Sequence, residues 1–355
     1  MSGLKSHSLK FYVAILAICF AVVFLVGLFI LEFYVPVSPF KTTQTIRVEI
    51  PSGSGTIKVS KTLRSQELIR SDKFFCIAAR FPLIFGRTTP YLIKSGVYSI
   101  SSSMSICQIL NLLDSGEQEY IKTVFPEGLT ISKIAQMLEE NGVCKAEDFK
   151  NACHDESILS EYGIFGDTIE GFLFPDTYFF TPSMEPKSVI TMMVKNFFEK
   201  TAEIPNFSQK TEKERYDIII LASIVEREYR VASEAPLIAS VFYNRLEDNV
   251  GFYSCATIEY IITEIQGKPH PDVITYDDLQ IDSPYNTYKW AGLTPTPISN
   301  PGLVALKAAT NPAVTDYYYF TLTDEQKGIH TFTKSFSSHT RAGLQYKTKK
   351  AASGN

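Results

Sequence analysis

The sequence predicts an α+β protein with a single N-terminal transmembrane helix, a region of small βα units and then a mixed α+β domain. Three observations support this prediction: a long uncharged apolar run near the N-terminus, a turn motif that recurs 75 residues later, and a second half in which helical patterns alternate with aromatic loops. The 355 residues are 20% charged and 45% hydrophobic, which is the composition of a folded globular protein.

The apolar run extends from Phe11 to Leu31 and contains no charged side chain. Its 21 residues suffice for a membrane-spanning helix, which takes about 20. A cleaved signal peptide is the alternative, but it would have a shorter apolar region followed by small residues at a cleavage site. We therefore expect a retained helix over 11–33. Lys5 and Lys10 place residues 1–10 in the cytoplasm and the remaining chain outside the cytoplasmic (inner) membrane, in the periplasm or at the cell exterior.

A proline–glycine turn motif occurs twice after the span. Ile50-Pro51-Ser52-Gly53 recurs as Phe125-Pro126-Glu127-Gly128, each time after a strand-like stretch and before a helical pattern. The organisation that we predict for the chain beyond the span comprises a stalk over 34–45, βα units over 46–158, an α+β domain over 159–345 and a disordered tail over 346–355.

Cysteine usage and charge exclude several classes of protein. Five of the six cysteines lie outside the span, an odd number without the dense spacing of a disulfide scaffold. Cys144 and Cys153 could form a pair, but isolated thiols are the simpler interpretation. The absence of a C-x-x-C motif and the scattered histidines predict no metal site and no cofactor. A formal net charge of −4 without a basic stripe argues against a nucleic-acid partner.

The helical run from Tyr216 to Tyr229 carries two glutamates near the end of an apolar segment. Burial raises the pKa of a carboxyl group, as a general acid near neutral pH requires. Periodicity alone does not choose between Glu226 and Glu228. The simpler alternative is that both mark the exposed end of a buried helix and pair with Arg227 or Arg230.

The segment from Ser283 to Gly302 is a loop rich in proline, glycine, asparagine and tyrosine. Long loops inside compact domains are often functional. Tyrosine and asparagine suit the faces and hydroxyls of sugars, although they also suit plain turns. The sequence has neither a glycine-rich phosphate loop nor a nucleophile elbow, which disfavours nucleotide and serine-hydrolase chemistry.

The helix that carries the glutamates also bears a family resemblance. The run 221–228, Leu-Ala-Ser-Ile-Val-Glu-Arg-Glu, resembles the signature of the endolytic murein transglycosylases of the MltG (YceG-like) family. The similarity covers the chain after residue 10. It includes further blocks at 170–178, 241–246, 286–288, 292–293, 300–302 and 330–332. It implies that the βα region contains a LysM-like subdomain and that the α+β domain is catalytic.

The resemblance implies a reaction and assigns its main residue. The family's catalytic glutamate is the first after Ala-Ser-x-x, which is Glu226 here. It would protonate the β-1,4 bond between N-acetylmuramic acid and N-acetylglucosamine and then accept the proton of the muramoyl C6 hydroxyl. The product is a 1,6-anhydro end, no water is consumed, and elongation of nascent glycan strands is limited. The partners implied are peptidoglycan strands and, near them, peptidoglycan synthases.

The matching blocks also imply residues that contact the substrate. These candidates are Ser223, Glu228, Asn244, Thr257, Asn286, Tyr288, His330 and Phe332. One segment departs from the family. Cys255-Ala256-Thr257 stands where Asp-Pro-Thr or Asp-Ala-Thr is common, so Cys255 replaces the acidic residue. We expect the missing acid to affect the orientation of a loop or polar neighbour more than the reaction itself.

Two other classes of function remain as alternatives. The first is a non-catalytic, membrane-anchored protein that binds or assembles peptidoglycan, with Glu226 in a structural role. The second is a hydrolytic muramidase with two carboxylates. Its second carboxylate would come from Asp176, Asp272 or Asp278, each of which also fits a turn.

Overall fold

The computed structural model describes residues 3–39, 45–51, 53–81 and 87–352, and it has a mixed α+β fold. By its internal contacts the chain divides into two compact units, Met1–Tyr120 and Ile121–Asn355. The prediction of an α+β fold that follows one apolar N-terminal helix is confirmed.

Helix α1 (Gly3–Tyr34) contains the apolar run. Its segment Phe11–Tyr34 has a mean hydropathy of 3.2, and none of its most apolar window is buried against protein. By length and composition this helix can cross a membrane, as the sequence predicts. At its C-terminal end, the guanidinium of Arg70 donates hydrogen bonds to the carbonyls of Val35, at 2.6 Å, and Pro36. These carbonyls lie directly beyond the last helical residue, Tyr34, and Arg70 also donates to the carbonyl of Leu31 within the last helical turn at 3.3 Å.

The rest of the first unit is a two-stranded sheet covered by helices. Strands β1 (Thr45–Ile50) and β2 (Gly96–Ser101) pair antiparallel, from Thr45 opposite Ser101 to Ile50 opposite Gly96. The helices are α2 (Thr56–Ser65), α3 (Asp72–Arg80) and α4 (Ile106–Ser115). Their apolar faces enclose a core that includes Leu63, Phe75 and Tyr98. Phe33 at the end of α1 is also buried in this core.

The second unit begins with the second copy of the turn motif. Its elements are β3 (Ile121–Val124), α5 (Ile131–Glu140), α6 (Ala146–Ala152), α7 (Glu156–Glu161) and β4 (Thr177–Phe180). Strand β3 pairs antiparallel with β4, and α5 buries Ile134 and Leu138 in the core of this unit. The contact-based boundary between the units follows Tyr120, so β3, α5 and α6, which lie within the predicted region 46–158, belong to the second unit.

The remaining elements of the second unit surround a buried central helix. They are α8 (Pro186–Ala202), α9 (Glu212–Glu228), α10 (Ala235–Glu247), α11 (Cys255–Tyr260), α12 (Leu303–Thr310), β5 (Tyr319–Asp324), β6 (Ile329–Thr333) and α13 (Phe336–Ala352). Helix α9 starts at a capping box between Thr211 and Glu214, and Ile218 to Val225 are buried on all sides. Strands β5 and β6 form an antiparallel pair.

Two further sequence predictions concern the C-terminal tail and the cysteines. Helix α13 continues into the predicted tail as far as Ala352, and 353–355 lie outside the described residues. All six cysteines are free thiols, including Cys144 and Cys153. Burial raises the pKa of Cys144 to about 11 and also raises that of Cys153. Both thiols are therefore protonated near neutral pH and poorly nucleophilic.

Candidate active site

Glu226 lies in the last turn of α9, where the helix leaves the hydrophobic core. Its carboxyl group is half-buried, and each oxygen has one protein donor. The backbone N–H of Gly302, which precedes α12, donates to Oε2 at 2.9 Å. The hydroxyl of Tyr229, which follows α9, donates to Oε1 at 3.1 Å. These two bonds hold the orientation of the side chain.

Opposing effects set the pKa of the Glu226 carboxyl. Burial has the largest effect and raises the pKa, and the negative charge of Glu127 raises it further. The hydrogen bonds from Gly302 and Tyr229 stabilise the carboxylate and lower it. The net result is a pKa above the ordinary value for glutamate. Such a group can hold a proton, and after releasing it the carboxylate still accepts hydrogen bonds from Gly302 and Tyr229.

The second turn motif lies directly against Glu226. Gly128 has a φ of +78°, and a Cβ atom there would be 3.5 Å from Cγ of Glu226. A Cβ atom on Gly302 would be only 2.5 Å from Cγ of Glu127. Glycine suits position 128 because of its positive φ, and at position 302 it leaves room for the side chain of Glu127. Sequence reasoning treated the motif only as part of a repeat and missed its place in the site.

Asn300 connects this motif to the rest of the domain. Its side chain is buried, and its Oδ1 accepts the N–H groups of Gly171 and Leu173, both at 2.9 Å. Its Nδ2 donates to the carbonyl of Leu129 at 3.0 Å and to Glu170 at 2.6 Å. The backbone of Asn300 also pairs with Leu129. One amide group therefore joins three chain segments two residues before Gly302.

Glu170, the acceptor of that last bond, is almost completely buried. Both of its oxygens lie within 3.1 Å of the backbone nitrogen of Ile131, the first residue of α5. Burial raises the pKa of Glu170 to about 8, despite the hydrogen bonds that lower it. The charge of Glu264 contributes to the increase. Near neutral pH this carboxyl is largely protonated and serves the local structure.

Glu228, the other candidate carboxyl of α9, faces different neighbours. It accepts the hydroxyl of Ser254 at 2.5 Å, and burial raises its pKa. Burial has the largest effect on the pKa of both Cys255 and Tyr288 and raises it, and the negative charge of Glu228 raises both further. The thiol of Cys255 lies 3.1 Å from the hydroxyl of Tyr288. The segment that departs from the family is thus adjacent to Glu228.

Two predicted hydroxyl candidates are buried and bonded within the protein. The Ser223 hydroxyl donates to the carbonyl of Ile220 at 2.7 Å and accepts the N–H of Ile298 at 3.0 Å. It therefore holds the loop before Asn300 against α9. The hydroxyls of Thr257 and Thr287 lie 2.9 Å apart.

Two predicted amide candidates likewise bond to the backbone of loops. Asn286 donates to the carbonyls of Leu279 and Ile281 at 3.0 and 2.8 Å. Asn244 donates to the carbonyls of Thr315 and Tyr317 at 3.0 and 2.8 Å. These contacts shape the loops around the site and occupy the amide donors.

His330 and Phe332 lie on β6. His330 is 2.7 Å from Glu234 through Nδ1, and its backbone N–H donates to the same carboxyl. The ring of Phe332 is 6.2 Å from that of Phe320 and 6.4 Å from that of His330. The structure thus places these two residues in the β5–β6 hairpin, with Glu234 as their polar neighbour.

Comparison with known proteins finds consistent relatives. Residues 48–344 match the model of the YceG-like family. A Bacillus subtilis (strain 168) protein named endolytic murein transglycosylase is 31% identical over 343 residues, covering 92% of this chain and 91% of that protein. A protein of the same name from Streptococcus pneumoniae serotype 2 is 27% identical over 343 residues, covering 88% of this chain and 60% of that protein.

A solved structure also matches. It is the crystal structure of a yceG-like protein from Listeria monocytogenes, with a TM-score of 0.55 and 30% sequence identity. The alignment covers 84% of this chain and 99% of that chain.

The buried Glu170 carboxyl gives a testable pH dependence of stability. Because its pKa is higher in the folded than in the unfolded protein, its stabilising contribution is complete at low pH and is lost as the pH rises through about 8. This loss is at most about 1.4 kcal/mol per pH unit. We expect Glu170→Gln to flatten the fall of the unfolding free energy between pH 5 and 8, measured by urea titration of Trp290 fluorescence. Equal pH slopes of the unfolding free energy in the unaltered protein and in Glu170→Gln would contradict this role. The control is Glu139→Gln, a substitution at an exposed position of α5.

Proposed function

Because the chain belongs to the YceG-like family, we propose that it is an endolytic murein transglycosylase, a lyase that cuts peptidoglycan glycan strands at internal bonds. The observation that carries the proposal is the environment of Glu226. It is a half-buried carboxyl whose pKa is raised by burial and whose two oxygens each have a hydrogen-bond donor. That environment suits a group that must be an acid in one step and a base in the next.

In the proposed reaction, Glu226 first donates its proton to the oxygen of the β-1,4 bond between N-acetylmuramic acid and N-acetylglucosamine. The C1–O bond breaks as the muramoyl C6 hydroxyl attacks C1, and the carboxylate takes the proton from that hydroxyl. The reaction consumes no water, because the proton given to the leaving oxygen is replaced by the proton of the C6 hydroxyl. The muramoyl product has a 1,6-anhydro end. Burial favours the acid that starts the reaction, while Gly302 and Tyr229 stabilise the carboxylate that forms.

The alternative of a two-carboxylate muramidase receives less support. Asp176 accepts the N–H of Thr177 at 2.7 Å and the side-chain amide of Asn196 at 3.1 Å. Asp278 accepts both the N–H and the hydroxyl of Thr275. These contacts are typical of turn residues. A substrate hydroxyl as nucleophile needs no second carboxylate, which favours the transglycosylase.

The membrane helix and the first unit complete the proposal. We propose that α1 anchors the protein with its N-terminus in the cytoplasm, because Lys5 and Lys10 precede the span. The second unit and the part of the first unit that follows α1 would then lie outside the membrane, where peptidoglycan strands and their synthases are found. The order strand, helix, helix, strand from β1 to β2 supports the LysM-like prediction for this unit.

Replacement of the candidate carboxyl tests the reaction. We expect full-length Glu226→Gln protein to fold and bind glycan but to cut it about 10²–10⁴ times more slowly, because it has no proton to donate. Mass spectrometry of digested strands is the measurement. Anhydro ends support the proposal, reducing ends indicate a hydrolase, and uncut strands from the unaltered protein indicate a binding protein. If activity survives in Glu226→Gln but is lost in Glu228→Gln, the general acid is Glu228 and the assignment to Glu226 is wrong.

Two neighbours of Glu226 should shift the pH dependence in opposite directions. The first step needs the protonated acid, so the rate falls as the pH rises through the pKa of Glu226. Tyr229→Phe removes a donor to the carboxylate and should raise that pKa, moving the alkaline limb to higher pH. Glu127→Gln removes a negative charge and should move it to lower pH. The measurement is kcat/KM against pH on glycan oligomers; shifts of the same sign would contradict the assignment.

A further inference from the structure

A cavity of about 670 Å³ opens in the second unit beside the candidate active site. Glu226 does not line it, but one loop contacts both places. Gly128 lies against Glu226, and the hydroxyl of Thr130 donates to Glu264, a lining residue of the cavity, at 3.1 Å. The volume lies within the range of natural small-molecule sites, about 300–1,000 Å³.

Aromatic side chains form much of the cavity wall. Tyr260 and Tyr285 are a ring pair with centroids 5.1 Å apart, and the Tyr285 hydroxyl is 2.8 Å from that of Thr296. Phe165 is 47% exposed and lies 5.6 Å from the ring of Tyr216. A large exposed aromatic side chain beside a concave surface offers a flat apolar face to a ligand.

Three acidic side chains are among the polar groups of the cavity. Glu170, whose carboxyl is largely protonated near neutral pH, lines it together with Glu264 and exposed Asp167. Asp167 is exposed and lines the cavity together with Phe165, two residues before it. Carboxylates accept hydrogen bonds and repel anions. Among the lining residues of this cavity, the one lysine, Lys150, is already paired with Glu147 outside it. An anionic ligand such as a phosphate is thereby disfavoured.

We infer that this cavity is a second saccharide-binding site, which takes N-acetylated amino-sugar units through stacking on Phe165 and hydrogen bonds to Asp167. Aromatic faces match the C–H faces of pyranose rings, and carboxylates match their hydroxyl donors. The choice of an amino sugar rests on the proposed function. Since the loop from Gly128 to Thr130 contacts both Glu226 and the cavity-lining Glu264, a glycan strand bound in the cavity would lie next to the point of cleavage.

Photo-crosslinking locates the ligand directly. The probe is a β-1,4-linked N-acetylglucosamine tetramer that carries a diazirine group, mixed with full-length Glu226→Gln protein in detergent so that cleavage does not interfere. After irradiation and proteolysis, mass spectrometry should find the label within 165–170 or 285–296. Label confined to residues around Glu226 and Tyr229 would overturn the inference.

Variants of exposed residues measure the contribution of the cavity to binding. In the same background, Phe165→Ala and Asp167→Asn should each reduce cavity labelling at a fixed tetramer concentration about tenfold, the equivalent of 1.4 kcal/mol. The matched controls are Phe179→Ala and Asp272→Asn, since both residues are exposed and neither lines the cavity. Equal labelling in variants and controls would overturn the inference.

Competition and activity separate the other outcomes. Displacement of the label by a lysine-containing stem tripeptide, but not by excess unlabelled tetramer, would overturn the inference in favour of a peptide site. If the unaltered protein does not cut glycan but the cavity is labelled, only the proposed function fails. If it cuts glycan and the cavity is not labelled, only this inference fails.

Discussion

The side-chain amide of Asn300 is the interaction on which the geometry of the site depends. Its four hydrogen bonds reach Gly171 and Leu173, Leu129, and Glu170. Gly171, Leu173 and Glu170 are buried and Leu129 is half-buried, so these bonds replace water that the folded protein largely excludes. Together they determine where the loop with Gly128 and the start of α12 meet. They thereby also position the backbone N–H of Gly302, which donates to Glu226.

The same arrangement explains why the acid form of Glu226 is favoured over that of an exposed glutamate while its carboxylate still has hydrogen-bond donors. If Glu226 were buried without donors, only the acid would be stable; if it were fully solvated, the carboxylate would dominate. The structure places it between these limits, with one side in contact with protein and two donors on its oxygens. Glu127 adds a charge that further favours the proton. The pKa of Glu226 is thus set by groups from three places: the C-terminal end of α9, the β3–α5 loop and the residue before α12.

Much of this could be predicted from the sequence, and the parts that could not share a physical cause. The apolar N-terminal helix and buried α9 follow from local apolar patterns, which a linear sequence displays directly. The resemblance selected Glu226, whereas periodicity left Glu228 equally open. Neither indicated that the Pro-Glu-Gly turn, 98 residues before Glu226, would contact it. Contacts between distant segments depend on tertiary packing, as does the pairing of β3 with β4.

The joint between α1 and the first unit has a mechanical consequence. Arg70 binds carbonyls just beyond the helix, Phe33 is enclosed in the core, and Phe29 lies 5.8 Å from Phe74 of α3. An apolar helix attached in this way does not act as a flexible tether, because bending at Tyr34 would require these contacts to break. Tilting of the helix within a bilayer would therefore tilt the first unit with it, and the unit's height above the lipid surface would be set by side-chain packing and not by the length of a linker.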